Sequence, residues 1–435
     1  MSKGFIIAAP ASNSGKTTVT LALLRALRNR GRRISSLKIG PDYIDPAFHR
    51  AASGRECFNL DPWAMRPATR AEVIARAGTD ADLVIVEGVM GLFDGARDGS
   101  GSSADVAAET GWPVILVIDA SGMAASVAAL VRGFTNFRDD VRIAGVVFNR
   151  IGGPGHARIL ERACATDEVP VLGCVPRDAA LKLPDRHLGL VQAAEHPDLE
   201  PFLETAALNL AEHVDLAAVE AVAQAARDPG PRARQPVPPP GIRVSVACDV
   251  AFAFSYPLLL DDWRAGGAEL EFFSPLADQA PAADADAVYL PGGYPELHAA
   301  RLADNQVFLT GLRAAAARDA VIYGECGGYM VLGETLTDAG GRKHRMAGLL
   351  PLATSFAERR LHLGYRDAIL AADTPLGPRG THLRGHEFHF ATIENEADDA
   401  PLFELHDADG QSVGSSGSRR GSVMGSFVHL IDAAE

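Results

Sequence analysis

Cys326 stands in Val321-Ile-Tyr-Gly-Glu-Cys-Gly-Gly-Tyr329, where an apolar run turns into a helical pattern with glycines on both sides of the thiol. Small residues there allow the tight strand-to-helix turn that presents a nucleophile at a helix N-terminus. A free thiol of pKa about 8.5 is only about 3% thiolate at pH 7. The helix dipole and a neighbouring imidazole are expected to lower it below neutrality, which takes roughly 2–4 kcal/mol of differential stabilisation. His429, in SVMGSFVHL, is the best-placed imidazole, with His386 and His389 in RGHEFHF as rivals by composition. Leu290-Pro-Gly292-Gly293-Tyr294 also follows a strand pattern. Gly292, Gly293 and Gly327 are therefore the expected oxyanion contacts, since small residues let backbone N–H groups face a developing alkoxide. Cys57, Cys164, Cys174 and Cys248 read as small buried cysteines.

A second chemistry begins near the N-terminus. Pro10-Ala-Ser-Asn-Ser14-Gly15-Lys16-Thr17-Thr18 follows a first strand and opens a helix, in the phosphate-loop pattern G-x-x-x-x-G-K-[ST] with Pro10 in place of the first glycine. Backbone N–H groups at such a helix start cradle phosphate oxygens, Lys16 adds charge at the β/γ-phosphates, and the Thr17 hydroxyl ligates Mg²⁺. Ser14, Gly15, Lys16, Thr17, Thr18 and Asn149 (at the end of IAGVVFN) are the expected ATP contacts. Hard Mg²⁺ also needs carboxylates. Glu87 ends the run DLVIVE and Asp42 lies just past another strand end, so Thr17, Asp42 and Glu87 form the expected metal set. The stretches KIGPDYIDPAFH and EGVMGLFDG bring Lys38, Asp42, Tyr43, Asp45 and Asp94 to Gly/Pro-punctuated loops after strands. Loops of this kind usually carry function, and their charges suit a large anionic substrate with many carboxylates.

The elements that position these residues are legible in outline. FIIAAP, ISSLKI, DLVIVEG, PVILVIDA, IAGVVFNR and VPVLGCVP alternate with helical patterns in the first half, and RVSVACD, AVYLPGG and AVIYGECGG do so in the second. Uninterrupted Val/Ile/Leu runs predict strands buried on both faces, hence parallel sheets covered by helices. RDPGPRARQPVPPPG, residues 227–241, predicts a stiff extended linker. It separates a domain at 1–226 from one at 242–435, within the two or three domains that 435 residues suggest at about 150 each. With 41 Lys+Arg against 55 Asp+Glu, the net charge of −14 argues against a general nucleic-acid binder. No apolar run approaches the roughly 18 residues of a membrane span. Five scattered cysteines suit a reducing cytoplasm.

Taken together, GECGG, PGGYPE and GSFVHL resemble a class I glutamine amidotransferase domain, and the N-terminal half resembles the dethiobiotin synthetase-like P-loop fold. That order, with KIGPDYIDPAFH, NLDPWAM and EGVMGLFDG, is similar to the cobyrinate and hydrogenobyrinate a,c-diamide synthase family over essentially the whole chain. The resemblance implies that ATP·Mg²⁺ phosphorylates a corrin carboxylate, with Lys38 helping Lys16. It implies that Cys326, helped by His429, takes ammonia from L-glutamine, and that two rounds amidate the a and c side chains of hydrogenobyrinic or cobyrinic acid. The cobalt-free ring is favoured by the Ala- and Arg-rich composition, and a homodimer is the default assembly. Competing readings are a synthase for a nickel tetrapyrrole or cobyric acid, and a P-loop ATPase with an idle amidotransferase module. One departure stands out: triad-type domains carry H-x-E, whereas Ile431 lies two residues after His429. Synthases of this corrinoid group also lack that Glu. The site is then either a Cys–His dyad or is completed by a carboxylate from elsewhere.

Overall fold

The computed structural model describes residues 3–181, 183, 185–186, 189–228, 230, 233–396 and 400–434. The chain divides into two compact units, one of residues 1–63 and 67–234, the other of 64–66 and 235–435. The main division thus falls inside the proline-rich segment.

In the first unit the apolar runs form β1 (Lys3–Ala8), β2 (Ile34–Ile39), β3 (Cys57–Leu60), β4 (Leu83–Glu87), β5 (Val114–Asp119), β6 (Ile143–Ile151) and β7 (Val171–Pro176). Their order is β3-β2-β4-β1-β5-β6-β7, every pair parallel. All residues of β2 and β4 are buried, as expected of strands with helices on both faces. Register decides what meets at the carboxyl edge, where open α/β sheets bind ligands. Glu87 is level with Ile7 on one side and Lys38 on the other. Helix α1 (Lys16–Asn29) leaves the loop after β1, and α2 (Asp45–Ser53) leaves the loop after β2. Both helix starts therefore lie at the edge where Glu87 ends. The short strand β3 lies at the edge of this sheet, beyond β2.

In the second unit Glu269–Phe273, Arg243–Ala247, Ala287–Leu290, Val321–Glu325 and Val423–Ser426 are parallel neighbours in that order, with Ser418–Arg420 antiparallel at the edge. The α/β layering expected from the sequence is present. Two further sheets, of four and five strands, were not anticipated. The five-stranded one runs Ser412–Ser416, Phe403–His406, His362–Leu370, His382–His389, Val428–Ala433, all antiparallel. His362–Leu370, for example, reads HLGYRDAIL. It lacks the long apolar run that marks a two-sided strand, so its sequence carries no strong strand signal. The chain leaves the parallel sheet at Ser426 and enters the antiparallel one at Val428. His429 therefore sits just beyond the strand end that pairs with Glu325. Among the described residues no helix is long and apolar enough to cross a membrane.

Candidate active sites in the two units

The carboxyl edge of the first sheet opens into a cavity of about 1180 Å³ lined by Gly15, Lys16, Thr17, Thr18, Lys38, Asp42, Asp45, Glu87 and Asn149, among others. Gly15 is required twice over. Its φ is +88°, and a Cβ there would stand 2.2 Å from Nδ2 of Asn149. Asn149 uses that nitrogen to donate to the Ser14 carbonyl at 3.0 Å, and Ser14 Oγ donates to the Ala11 carbonyl at 2.8 Å. Both side chains brace the phosphate loop from within. Lys16 Nζ donates to the Met90 carbonyl at 2.6 Å. Burial lowers the Lys16 pKa, with the charge of Glu87 opposing that shift.

At the heart of this edge Thr17 Oγ1 donates to Glu87 at 2.6 Å and lies 3.4 Å from Asp45. Lys38 bridges the same two carboxylates, 2.6 Å from Asp45 and 2.9 Å from Glu87. Burial would strip Lys38 of its proton, but the two acids hold its pKa above the ordinary lysine value. Glu87 is correspondingly depressed: burial pushes it up, and Lys38, His49 and Thr17 outweigh that. Burial, with the nearby Asp42 charge, raises Asp45 to about 6. Asp42, expected in the metal set, lines the same cavity with one carboxylate oxygen engaged in its own loop. Asp42 Oδ1 accepts from the N–H groups of Ile44 and Asp45, at 2.7 and 2.9 Å, where it caps the turn into α2. Asp45, at the start of that helix, is the carboxylate brought to Thr17 and Glu87. Asp94 accepts from the Gly91 N–H at 2.8 Å and shapes its own loop. Asp94 and Tyr43 are both outside the cavity lining. His49 also belongs to this edge, outside the residues that the sequence pattern singles out. Its Nε2 is 2.7 Å from Glu87, and its Nδ1 is 3.6 Å from the Cys57 thiol. The spacing Asp45 to His49, one helical turn, is the signal that could have found it.

In the second unit Cys326 occupies a sharp turn with φ +47°, the strained geometry of a presented nucleophile. Its N–H donates to the Ser426 carbonyl at 2.8 Å, which ties the turn to the neighbouring strand end. A Cβ built on Gly292 would meet His429 Cε1 at 2.2 Å, His429 Nε2 at 3.0 Å and Cys326 Cβ at 3.3 Å. Gly292 is thus the gap that lets imidazole and thiol approach. A Cβ on Gly327 would lie 2.9 Å from the Gly293 amide nitrogen, and one on Gly293 would strike the Ala251 carbonyl at 2.1 Å. Gly292 therefore packs against Cys326, and Gly293 against Gly327 beside it. The rival histidines are otherwise engaged. His389 Nε2 is 2.9 Å from Glu387 and its ring stacks on Phe427 at 3.9 Å, while His386 faces His429 across the strand pair.

The electrostatics correct one expectation. Burial pushes the Cys326 thiol well up, the charges of Glu296 and Glu387 add to this, and the Gly327 N–H only partly opposes it. The following helix, Gly327–Leu332, has six residues, too short for a large dipole. Burial, with His386 and His389, holds His429 at about 3. Both shifts favour a neutral thiol beside a neutral imidazole. His362, Glu387 and His389 present ligand atoms within 4.8 Å of one another. Arg366 already contacts Glu387 there at 2.8 and 2.7 Å, which supplies a cation to that cluster.

Residues 5–191 match the family described as CobQ/CobB/MinD/ParA nucleotide binding domain, and residues 243–435 that described as CobB/CobQ-like glutamine amidotransferase domain. A hydrogenobyrinate a,c-diamide synthase of Brucella suis is 56% identical over 443 residues, covering 99% of this chain and 98% of that protein. The chain belongs to the hydrogenobyrinate a,c-diamide synthase family. Family members of the same name from Rhizobium meliloti and Rhodobacter capsulatus are 55% and 54% identical, each over 99% of this chain. Among solved structures, PurLQS from Thermotoga maritima is similar over 43% of this chain and 87% of that one, at 17% identity and a TM-score of 0.30. For the family, the phosphate loop and the Cys326 turn belong to two separate matched domains.

Proposed function

We propose that this chain is an ATP-dependent, glutamine-hydrolysing ligase of cobalamin biosynthesis that amidates the a and c carboxylates of hydrogenobyrinic acid. The observation that carries the reading is the pairing, on one chain, of a Lys16–Thr17–Glu87 phosphate site with a buried Cys326–His429 pair around Gly292. The full-length likeness to synthases named for hydrogenobyrinate supports the cobalt-free ring.

In the first unit a substrate carboxylate oxygen attacks the γ-phosphorus of ATP, ADP leaves, and an acyl phosphate forms. Lys16 stabilises the charge on the transferring phosphoryl group, with Lys38 close by. The Thr17 hydroxyl and the Asp45 and Glu87 carboxylates are a hard oxygen set that fits Mg²⁺, and the Lys38 ammonium between the two acids marks the place as one that favours a cation. When bound there, Mg²⁺ supplies neutralising charge to the β- and γ-phosphates. In the second unit Cys326 passes its proton to His429 and its sulfur attacks the glutamine carboxamide. The oxyanion meets backbone N–H groups around Gly293 and Gly327. His429 returns the proton to the departing ammonia, and water then hydrolyses the γ-glutamyl thioester to glutamate. Ammonia displaces phosphate from the acyl phosphate, and a second round completes the diamide.

The test offers purified protein hydrogenobyrinic and cobyrinic acids in parallel with Mg·ATP and glutamine, reading kcat/KM for mono- and diamide formation by mass spectrometry. Two amidations with preference for the cobalt-free ring are expected. A preference for cobyrinic acid overturns the choice of ring, and no amidation of either overturns the assignment.

A further inference from the structure

The usual triad carboxylate, two residues after the histidine, is absent here, since Ile431 fills that position. A carboxylate nevertheless stands on the far side of the imidazole. Glu325, the residue before the nucleophile, places Oε2 3.9 Å from Nδ1 of His429, and both side chains are almost wholly buried at 1% exposure. The ring has a defined polarity. Nε2 lies on the side of Gly292 and Cys326, while Nδ1 faces Glu325.

The carboxylate is itself fixed. The Tyr289 hydroxyl donates to Oε2 at 2.7 Å, the Tyr323 hydroxyl donates to Oε1 at 2.7 Å, and the Leu430 N–H donates to Oε1 at 3.1 Å. Three donors on two oxygens suit an ionised acceptor. Tyr289 and Tyr323 are stacked at 5.7 Å on adjacent strands, and Trp263 packs edge-on against Tyr289 at 5.1 Å. The Leu430 N–H comes from the residue after His429, so one hydrogen bond couples the carboxylate to the backbone that carries the base. So rigid a mount, on a group that costs energy to bury, is what a positioning role requires.

We infer that Glu325 is the third member of the glutaminase site, a positioning residue that accepts from His429 Nδ1–H and so keeps the Nε2 lone pair toward Cys326. The inference rests on Cys326 and His429 being the glutaminase pair. At 3.9 Å the two atoms are beyond hydrogen-bond reach, so the inference requires this contact to shorten when glutamine binds, as catalytic hydrogen bonds commonly do. Unlike the usual arrangement, the orienting carboxylate and the nucleophile are consecutive in sequence, at one strand end. The base lies three residues beyond the end of the neighbouring strand Val423–Ser426, on the strand Val428–Ala433 of the antiparallel sheet. Burial raises Glu325 to about 7, with Tyr289, Tyr323 and the Leu430 N–H opposing that shift. The other titratable groups acting on the pair are His386, His389, Glu387 and Glu296. Glutaminase activity is therefore expected to rise with pH as Glu325 ionises near neutrality.

The test compares the full-length protein with Glu325→Gln, which keeps shape but can offer an N–H to Nδ1 and favour the wrong tautomer. Glutaminase kcat should fall about 100-fold or more with KM for glutamine changed less than about threefold, while ammonia-supported synthesis persists. Tyr323→Phe, which removes one donor and leaves the acid, should move the pH limb of glutaminase upward by about half a unit or more. Glu325→Gln with near-normal kcat, or Tyr323→Phe with an unmoved profile, overturns the inference. If Glu325→Gln fails to fold, Tyr323→Phe alone decides. Cys326→Ala and His429→Ala are run alongside: glutaminase surviving in either sinks the reading of the pair itself, whatever Glu325 does.

Discussion

The two candidate sites treat charge in opposite ways. At the phosphate edge Lys16, Lys38, Asp45, Glu87 and His49 are crowded together: Lys38 pairs with Asp45 and Glu87, His49 with Glu87, and Lys16 is held by the Met90 carbonyl. At the thiol edge burial disfavours ionisation, so Cys326 is held up and His429 held down. The first arrangement stores compensated charge that an anionic nucleotide and a metal can exchange into. The second holds a pair that burial keeps neutral. A charged phosphate needs fixed countercharge before it arrives, whereas a neutral amide substrate does not.

The sharpest way to break this comparison is to disable each site in turn. Lys16→Ala should depress both glutamine- and ammonia-supported synthesis by about 1000-fold or more, since either nitrogen source needs the activated carboxylate. Cys326→Ala should abolish only the glutamine-supported reaction. Product assays with both nitrogen donors check this, and parallel behaviour of the two variants would show that the sites are not separate. A smaller effect sharpens the account of the phosphate edge. Asp45→Asn should lower ammonia-supported kcat by about 100-fold. Asp42→Asn, which retains an oxygen acceptor for the turn into α2, should cost less than about threefold. Equal losses would return Asp42 to the metal set.

The smallest expected effect concerns the fold around the thiol. Glu387 is held at about 2, because His389 and Arg366 outweigh the upward push of burial. Its folded pKa lies below the ordinary 4.5, so its contribution to stability is fully present above about 4.5 and is lost as pH falls through about 2. Thermal unfolding across that interval should show a flatter decline for Glu387→Gln than for the parent chain.

What could be read from sequence follows from how local each signal is. The phosphate loop and the Cys326 turn are contiguous strings whose glycines report their own backbone, and both were legible. Asp45 and Asp42 share one loop, and only the start of α2 decides which carboxylate faces Thr17. Glu325 reads as the last residue of a strand, because its partners Tyr289 and Leu430 lie far from it in sequence. His49 was hidden in the same way, since its role is set by Glu87 on another strand. The antiparallel strands between 343 and 420 lack the long apolar runs of the central sheets, so composition gave them no weight.

The pairing of Val423–Ser426 with Val321–Glu325 has a kinetic corollary. Cys326 and His429 are brought together by closing a loop of about a hundred residues, an entropic step that comes late among strand pairings. Until that step, the sulfur has its turn but no proton acceptor. A partly folded chain therefore carries the thiol without its imidazole, and the proposed Cys326–His429 pair is assembled only when the distant strand docks.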